Sequence, residues 1–253
     1  MAMVNFVGAG SGAADLITLR GKRLLEEADV IIYAGSLINP ELLSYARPEC
    51  ELHNSAFMTL EQVIDKMKEA ESCGKMTVRL HTGDPCLYGA IREQTDCLDK
   101  LGILYEICPG VSSFCGAAAA LKAEYTLPDV SQTVIITRMA GRTPVPERES
   151  IASLAAHGST MVIFLSTGML PQLSAELIKG GYSENTPAAI VYKATHPDEK
   201  VCRCTVGTLA ETAEKNDIRK TALITVGNFL GDDYSLSKLY DKTFSTEYRK
   251  AEI

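Results

Sequence analysis

The chain has 253 residues, 46% hydrophobic and 23% charged, with a net charge of −7. That is enough for one large or two modest globular domains with real cores. The acidic balance argues against nonspecific binding to nucleic acid or to a membrane surface, and no apolar run approaches the roughly 20 residues of a membrane helix.

In chain order, residues 4–7 read as a buried strand, followed by a helix at 18–28 and a second strand at 30–33. A short helix is expected at 40–45 and a longer one at 60–72, then a strand at 76–80 and a helix at 87–101. A strand at 104–107 and a small-residue helix at 114–121 close the first half. Such alternation favours helices on the faces of a mostly parallel sheet. Residues 124–130, with Pro128, read as a linker. Beyond it, strands are expected at 133–137, 161–165, 188–192, 200–205 and 222–226. Helices are expected at 149–156, 170–179 and 209–215, after a proline-rich turn at 143–146. This predicts a second α/β domain with some antiparallel pairing, and a division into residues 1–122 and 123–253. The tail after Gly231 is polar and carries no assignment.

The eight cysteines form no Cys-x-x-Cys pair, and with four histidines no metal site is expected. Reduced, mostly buried thiols in a cytosolic protein are the plain reading. The start, Met1-Ala2-Met3-Val4-Asn5-Phe6, enters a strand pattern directly, without the features of a secretion signal.

Three loops after strands carry glycine: Gly8-Ala9-Gly10-Ser11-Gly12, Thr82-Gly83-Asp84-Pro85 and Pro109-Gly110-Val111-Ser112-Ser113. Glycine lets the backbone approach a ligand closely, and loops beyond the carboxyl ends of strands line one crevice in an open α/β sheet. A small-molecule site follows. Gly8-x-Gly10-x-x-Ala13 also fits the dinucleotide fingerprint. The second strand, however, ends in Tyr33-Ala34-Gly35 without the acid that would hold a ribose, and Asp29 stands at its beginning. No Gly-Lys-Ser/Thr follows, which excludes a P-loop. Asp84 taken alone reads as the cap of a helix starting near Leu87.

Taken together, Gly8–Gly12, Gly83-Asp84-Pro85 with Tyr88-Gly89, and Pro109–Ser113 resemble the tetrapyrrole methyltransferases of cobalamin and sirohaem synthesis. Tyr33-Ala34-Gly35-Ser36-Leu37, His81–Gln94, Val130–Thr137, Arg142–Glu147 and Pro197-Asp198-Glu199-Lys200 narrow the resemblance to the branch acting on C(11) of precorrin-4 or its cobalt form. The similarity runs over about residues 4–230. Family members usually carry proline where Ser11 stands, and serine with an aromatic residue where Thr195-His196 stand.

The resemblance implies two α/β domains with a ligand cleft between them, the tetrapyrrole methylase fold, in a cytoplasmic homodimer. It implies S-adenosyl-L-methionine as cofactor and an anionic tetrapyrrole as substrate, with no nucleic-acid or membrane partner and no metal site. Residues 1–122 would supply the tetrapyrrole side and the Gly-Asp-Pro loop, and residues 123–253 would complete the cofactor site. The implied cofactor residues are Gly83, Asp84, Pro85, Leu87, Tyr88, Ser112, Ser113, Ser166, Tyr192, Ala194, Thr221 and Ala222. Gly10, Gly12, His81, Arg138 and Arg142 fall to the substrate. No catalytic side chain is named, because the ring carbon that accepts the methyl becomes quaternary and a dedicated base is optional. Arg79, Arg92, Lys193 and Arg203 are further cationic candidates for a polycarboxylate. Arg92 fits an in-helix ion pair equally well, and His81 a hydrogen-bonded structural role. Cys86 is read as packing, and Glu93 and Gln94 as serving their helix.

Overall fold

A computed structural model describes residues 3–35 and 37–252. Ser36 of the segment Tyr33-Ala34-Gly35-Ser36-Leu37, and Met1 and Ala2 of the amino terminus, lie outside the described residues. Contacts divide the chain into two units, Met1–Ala117 with Lys193–Glu199, and Ala118–Tyr192 with Lys200–Ile253.

The first unit is built on a parallel sheet of five strands: β1 (Val4–Gly8), β2 (Val30–Tyr33), β3 (Glu51–Asn54), β4 (Thr77–His81) and β5 (Tyr105–Cys108), in the order β3-β2-β4-β1-β5. β1 and β4 lie in the middle and are buried along their whole length. Both sheet faces are covered, as parallel sheets require. Val7, Ile31, Val78 and Leu80 pack on one face with Leu25 of α1 (Leu19–Glu27). Val4, Phe6, Val30 and Ile32 pack on the other with α2 (Leu60–Ser72) and with Leu98 of α3 (Ile91–Leu101). The helix starts follow capping chemistry. The Thr18 hydroxyl accepts from the Gly21 amide, and Thr59 and Gln62 form a reciprocal capping box.

Two features of this unit depart from the sequence pattern. β3 has no apolar run; it exists because it pairs in parallel with β2 at the sheet edge, where one side meets solvent. The expected helix at 87–101 begins only at Ile91. Tyr88 (φ 56°) and Ala90 (φ 49°) are left-handed and cannot continue a right-handed helix. α4 (Ser113–Leu121) follows the third glycine loop.

The second unit carries a mixed sheet in the order β6-β7-β10-β8-β9, from β6 (Val134–Arg138), β7 (Thr160–Phe164), β8 (Pro187–Tyr192), β9 (Lys200–Thr205) and β10 (Ala222–Val226). β6 and β7 are parallel; the other pairs are antiparallel. Helices α5 (Ile151–Ala155), α6 (Leu170–Lys179) and α7 (Leu209–Lys215) contribute Ile151, Leu173, Leu177 and Leu209 to one core with Met161, Ile163, Ile190 and Ile224. No helix among the described residues is long and apolar enough to cross a membrane.

Candidate functional site

In the first unit the three glycine loops meet backbone to backbone. β1 and β4 run in register to Gly8 and His81, and the Ala9 amide then donates to the His81 carbonyl at 2.7 Å. Gly10 and Gly83 exchange hydrogen bonds of 3.3 and 2.9 Å. A Cβ on Gly8 would stand 2.6 Å from both the Gly110 Cα and the Gly83 carbonyl oxygen. Glycine at 8 is therefore required by the approach of one loop to the others, a role distinct from making room for a ligand.

Asp84 fastens the second loop to the third. Its Oδ1 accepts from the Cys86 amide and its Oδ2 from the Gly110 amide, both at 2.8 Å. No helix starts at Leu87, so the carboxylate closes a tight turn and bridges two loops instead of capping a helix. Burial alone would raise its pKa, but the hydrogen bonds from Cys86 and Gly110 outweigh burial and hold the carboxyl below its usual value. Pro85 is buried, Leu87 half-buried and Tyr88 exposed on this turn. Ser112 is buried before α4, and Ser113 opens that helix half-buried.

The segment Lys193–Glu199 belongs to the same unit. The Thr195 hydroxyl accepts from the Ala13 amide at 3.0 Å and pairs with the Ser11 hydroxyl at 3.1 Å. Ala194 is buried, and its carbonyl oxygen would lie 2.6 Å from a Cβ on Gly12. Ser11 and Thr195, two of the three positions at which the resemblance leads one to expect another residue, are thus in contact. Lys193 pairs with Asp198.

Two candidates on β4, Arg79 and His81, are buried. Arg79 is 7% exposed, donates from Nε to Gln94 Oε1 (3.0 Å) and from Nη1 to the Ile32 carbonyl (3.1 Å). Burial pushes its pKa down to about 10, so it keeps its charge at neutral pH. His81 is 4% exposed beside the Phe6 ring, and its Nε2 has no hydrogen-bond partner among the described residues. Burial first, then the Arg79 charge, pushes its pKa to about 3, so the imidazole is neutral. Arg92 sits on the exposed side of α3 in an ion pair with Asp96 at 2.7 Å.

In the second unit, the remaining predicted residues gather at one end of the mixed sheet. Ser166 follows β7 and is fully buried; its hydroxyl accepts from the Met139 amide (3.0 Å) and donates to the Phe164 carbonyl (2.7 Å). Tyr192 ends β8 and pairs in register with Ala222, the first residue of β10. Thr221 precedes it with φ 59°. The Ala222 carbonyl accepts from the Thr167 hydroxyl at 3.0 Å. Arg138 ends β6, and its guanidinium donates to the carbonyls of Met139, Thr143 and Pro144 at 2.8–3.2 Å, shaping the loop that carries the exposed Arg142. Arg203 likewise donates to the Leu121 and Leu230 carbonyls.

A family model described as tetrapyrrole (corrin/porphyrin) methylases matches residues 3–210. The chain belongs to the tetrapyrrole methylases. It is similar to the cobalt-precorrin-4 C(11)-methyltransferase of Methanocaldococcus jannaschii, 57% identical across 98% of this chain and 96% of that protein. It superposes on the X-ray structure of a cobalt precorrin-4 methyltransferase, CbiF, with a TM-score of 0.89 at 47% identity, covering 91% of this chain and 96% of that one. A Thermus thermophilus uroporphyrin-III C-methyltransferase, solved with S-adenosyl homocysteine, shares the fold at TM-score 0.76 and 24% identity, over 90% of this chain and 93% of that one. The first glycine loop is therefore a tetrapyrrole methylase loop and not a nicotinamide-binding fingerprint. Asp29, the nearest acid to β2, is engaged elsewhere: it accepts from Arg47 and from the Met76 amide, both at 2.8 Å.

Two residues of this methylase escape a sequence reading. Gln94 stands in a helical stretch among charged residues, and only the fold brings it to Arg79. An arginine inside Met76–Leu80, a run that reads as a buried strand, is the available signal that a buried polar partner exists. Thr195 is the other, visible in the sequence only as a departure from the family pattern.

Proposed function

We propose that this methylase transfers the methyl group of S-adenosyl-L-methionine to C(11) of cobalt-precorrin-4 in cobalamin biosynthesis. The observation that carries the reading is 57% identity, over 98% of the chain, to a protein of that activity. The 47% identity to a cobalt precorrin-4 methyltransferase at a TM-score of 0.89 supports it further.

The cofactor supplies an activated methyl on a sulfonium centre and leaves as S-adenosyl-L-homocysteine; a structural neighbour is described with that product. The loop cluster of the first unit suits such a group. The Asp84 carboxylate stays ionised for a cationic ligand, Leu87 and Tyr88 offer apolar surface, and Ser113 opens a helix beside them in the chain's third glycine loop. Asp84 acts by holding the two loops together. Its oxygens are taken by the Cys86 and Gly110 amides, which makes it a positioning group and not a base. Leu87, Tyr88, Ser112 and Ser113 then orient the ligand and exclude water. Orientation of this kind is worth effective molarities of about 10⁵ M or more. The further cofactor roles of Ser166, Tyr192, Ala194, Thr221 and Ala222 rest on family resemblance. So do the substrate roles of Gly10, Gly12, His81, Arg138 and Arg142, and the division of roles between residues 1–122 and 123–253. A cytoplasmic homodimer completes the proposal; eight free cysteines fit a reducing compartment.

Incubation with cobalt-precorrin-4 and labelled S-adenosyl-L-methionine should add one labelled methyl, mapped by NMR to C(11). Label at another ring carbon would reassign the substrate position, and an unlabelled macrocycle would sink the reading. Replacing Arg138 and Arg142 together with Ala should weaken tetrapyrrole binding far more than S-adenosyl-L-homocysteine binding. Sedimentation of the native chain at twice the monomer mass is expected for the homodimer.

A further inference from the structure

Arg79 is a guanidinium sealed inside the first unit, and among the described residues it forms no ion pair with a carboxylate. A buried charge of this kind opposes folding unless its hydrogen bonds are well made. Its two described partners are neutral, the Ile32 carbonyl at the end of β2 and the Gln94 side-chain oxygen on α3. Gln94 is itself 5% exposed. Its Nε2 donates to the Ala90 carbonyl at 3.0 Å. These bonds have a direction. A guanidinium has only donors, so it donates to the oxygen end of the amide and leaves the NH₂ end toward Ala90. With an apolar side chain at 79, the amide oxygen would lose its partner and the side chain would be held at its NH₂ end alone.

The carbonyl so held closes an unusual turn. Between Pro85 and α3 the backbone passes through Tyr88 at φ 56° and Ala90 at φ 49°, both unfavourable for residues with a Cβ. Ala90 stands at the N-cap of α3 with no side-chain cap bond of its own. A turn of this conformation persists only where its surroundings over-determine it.

We propose that Arg79 and Gln94 are positioning residues of this methylase: the charge on β4 orients the Gln94 amide, which anchors the Ala90 carbonyl and fixes the turn presenting Leu87 and Tyr88. The inference rests on reading the Asp84–Tyr88 turn as cofactor-binding. It gives the buried arginine a task directed at the cofactor and separates it from the arginines that serve the tetrapyrrole.

Gln94→Glu tests this. The carboxylate keeps an acceptor for Arg79 and adds an opposite charge, but it offers no donor to Ala90. Calorimetric titration with S-adenosyl-L-homocysteine should show at least a tenfold weaker affinity, while the thermal midpoint is held or raised. In turnover, the loss should fall in KM for S-adenosyl-L-methionine more than in kcat. Hydrogen exchange of amides 86–90 in the ligand-free protein should be at least tenfold faster than in the native chain. Arg79→Met, which frees the amide, should shift affinity and exchange the same way. A Gln94→Glu protein with native affinity and native exchange at 86–90 overturns the proposal, as does affinity lost only together with the thermal midpoint. If the native chain itself fails to bind S-adenosyl-L-homocysteine, the cofactor reading falls, and the exchange at 86–90 still decides the anchor by itself.

Discussion

The two units bury different chemistry. The first seals Arg79, His81, Gln94, Asn5 and Thr77 inside a parallel sheet and its helices. In the second, the buried polar residues among those described are hydroxyls: Thr137, Thr160, Ser166, Thr167 and Thr225. Its helices α5, α6 and α7 pack one continuous apolar cluster onto one sheet face. The difference follows from what each sheet supports. Where three loops meet backbone to backbone, a side chain at Gly8 has no room, and the Asp84 carboxylate bridges two of the loops by accepting from the Cys86 and Gly110 amides. In the second unit β10 pairs antiparallel with β7 and β8, and Arg138 and Ser166 hold the loop after β6.

That contrast can be broken or sharpened by substitution. Leu173→Ala, in the apolar cluster of the second unit, should cost about 2–5 kcal/mol in chemical denaturation, as a cavity in a close-packed core does. Gly8→Val places a side chain against Gly110 and the Gly83 carbonyl and should cost about 3 kcal/mol. A tolerated valine would mean the loops are not in contact. Asp84→Ala leaves the Cys86 and Gly110 amides without their acceptor and should cost about 1–3 kcal/mol along with methyl transfer.

His81 gives the pH test. Its folded pKa, about 3, lies below the free value of 6.5, so the unfolded chain binds the proton first. Its contribution is intact above about 6.5 and is lost as the pH falls toward 3. At about pH 5.5, His81→Leu should reduce the acid-induced loss of stability by about 1.4 kcal/mol relative to the native chain. The depressed pKa of Asp84 acts in the same direction at more acid pH, so the two chains are compared at one pH. The smallest effect is expected for Arg92→Ala, about 0.3–0.5 kcal/mol, because its pair with Asp96 is solvent-exposed. Equal pH profiles for the native and His81→Leu chains would mean that the imidazole is not sealed.

Much of the fold is legible in the chain. The runs at Val30–Tyr33, Lys200–Thr205 and Ala222–Val226 fall where the strands are, and so do the parallel first sheet and the partly antiparallel second. β3 is not legible: Glu51-Leu52-His53-Asn54 has no strand pattern and is held by its neighbour. Nor is the break before Ile91, because the apolar spacing from Leu87 onward suits a helix and says nothing of left-handed dihedrals at Tyr88 and Ala90. Among the proposed site residues, Gly83, Asp84, Ser112 and Ser113 announce themselves as following strands. What they bond to does not: Asp84 reads as a helix cap and is a bridge between loops.

By itself the sequence determined the strand and helix periods, the three glycine loops and the family, because each is carried by residues near one another along the chain. The tertiary structure alone decided that Gly8 packs on Gly110, that Ser11 meets Thr195, and that Arg79 reaches Ala90 through Gln94. Those contacts join segments separated in sequence, where a hydrogen bond or a van der Waals limit acts only once the sheet has set the distance.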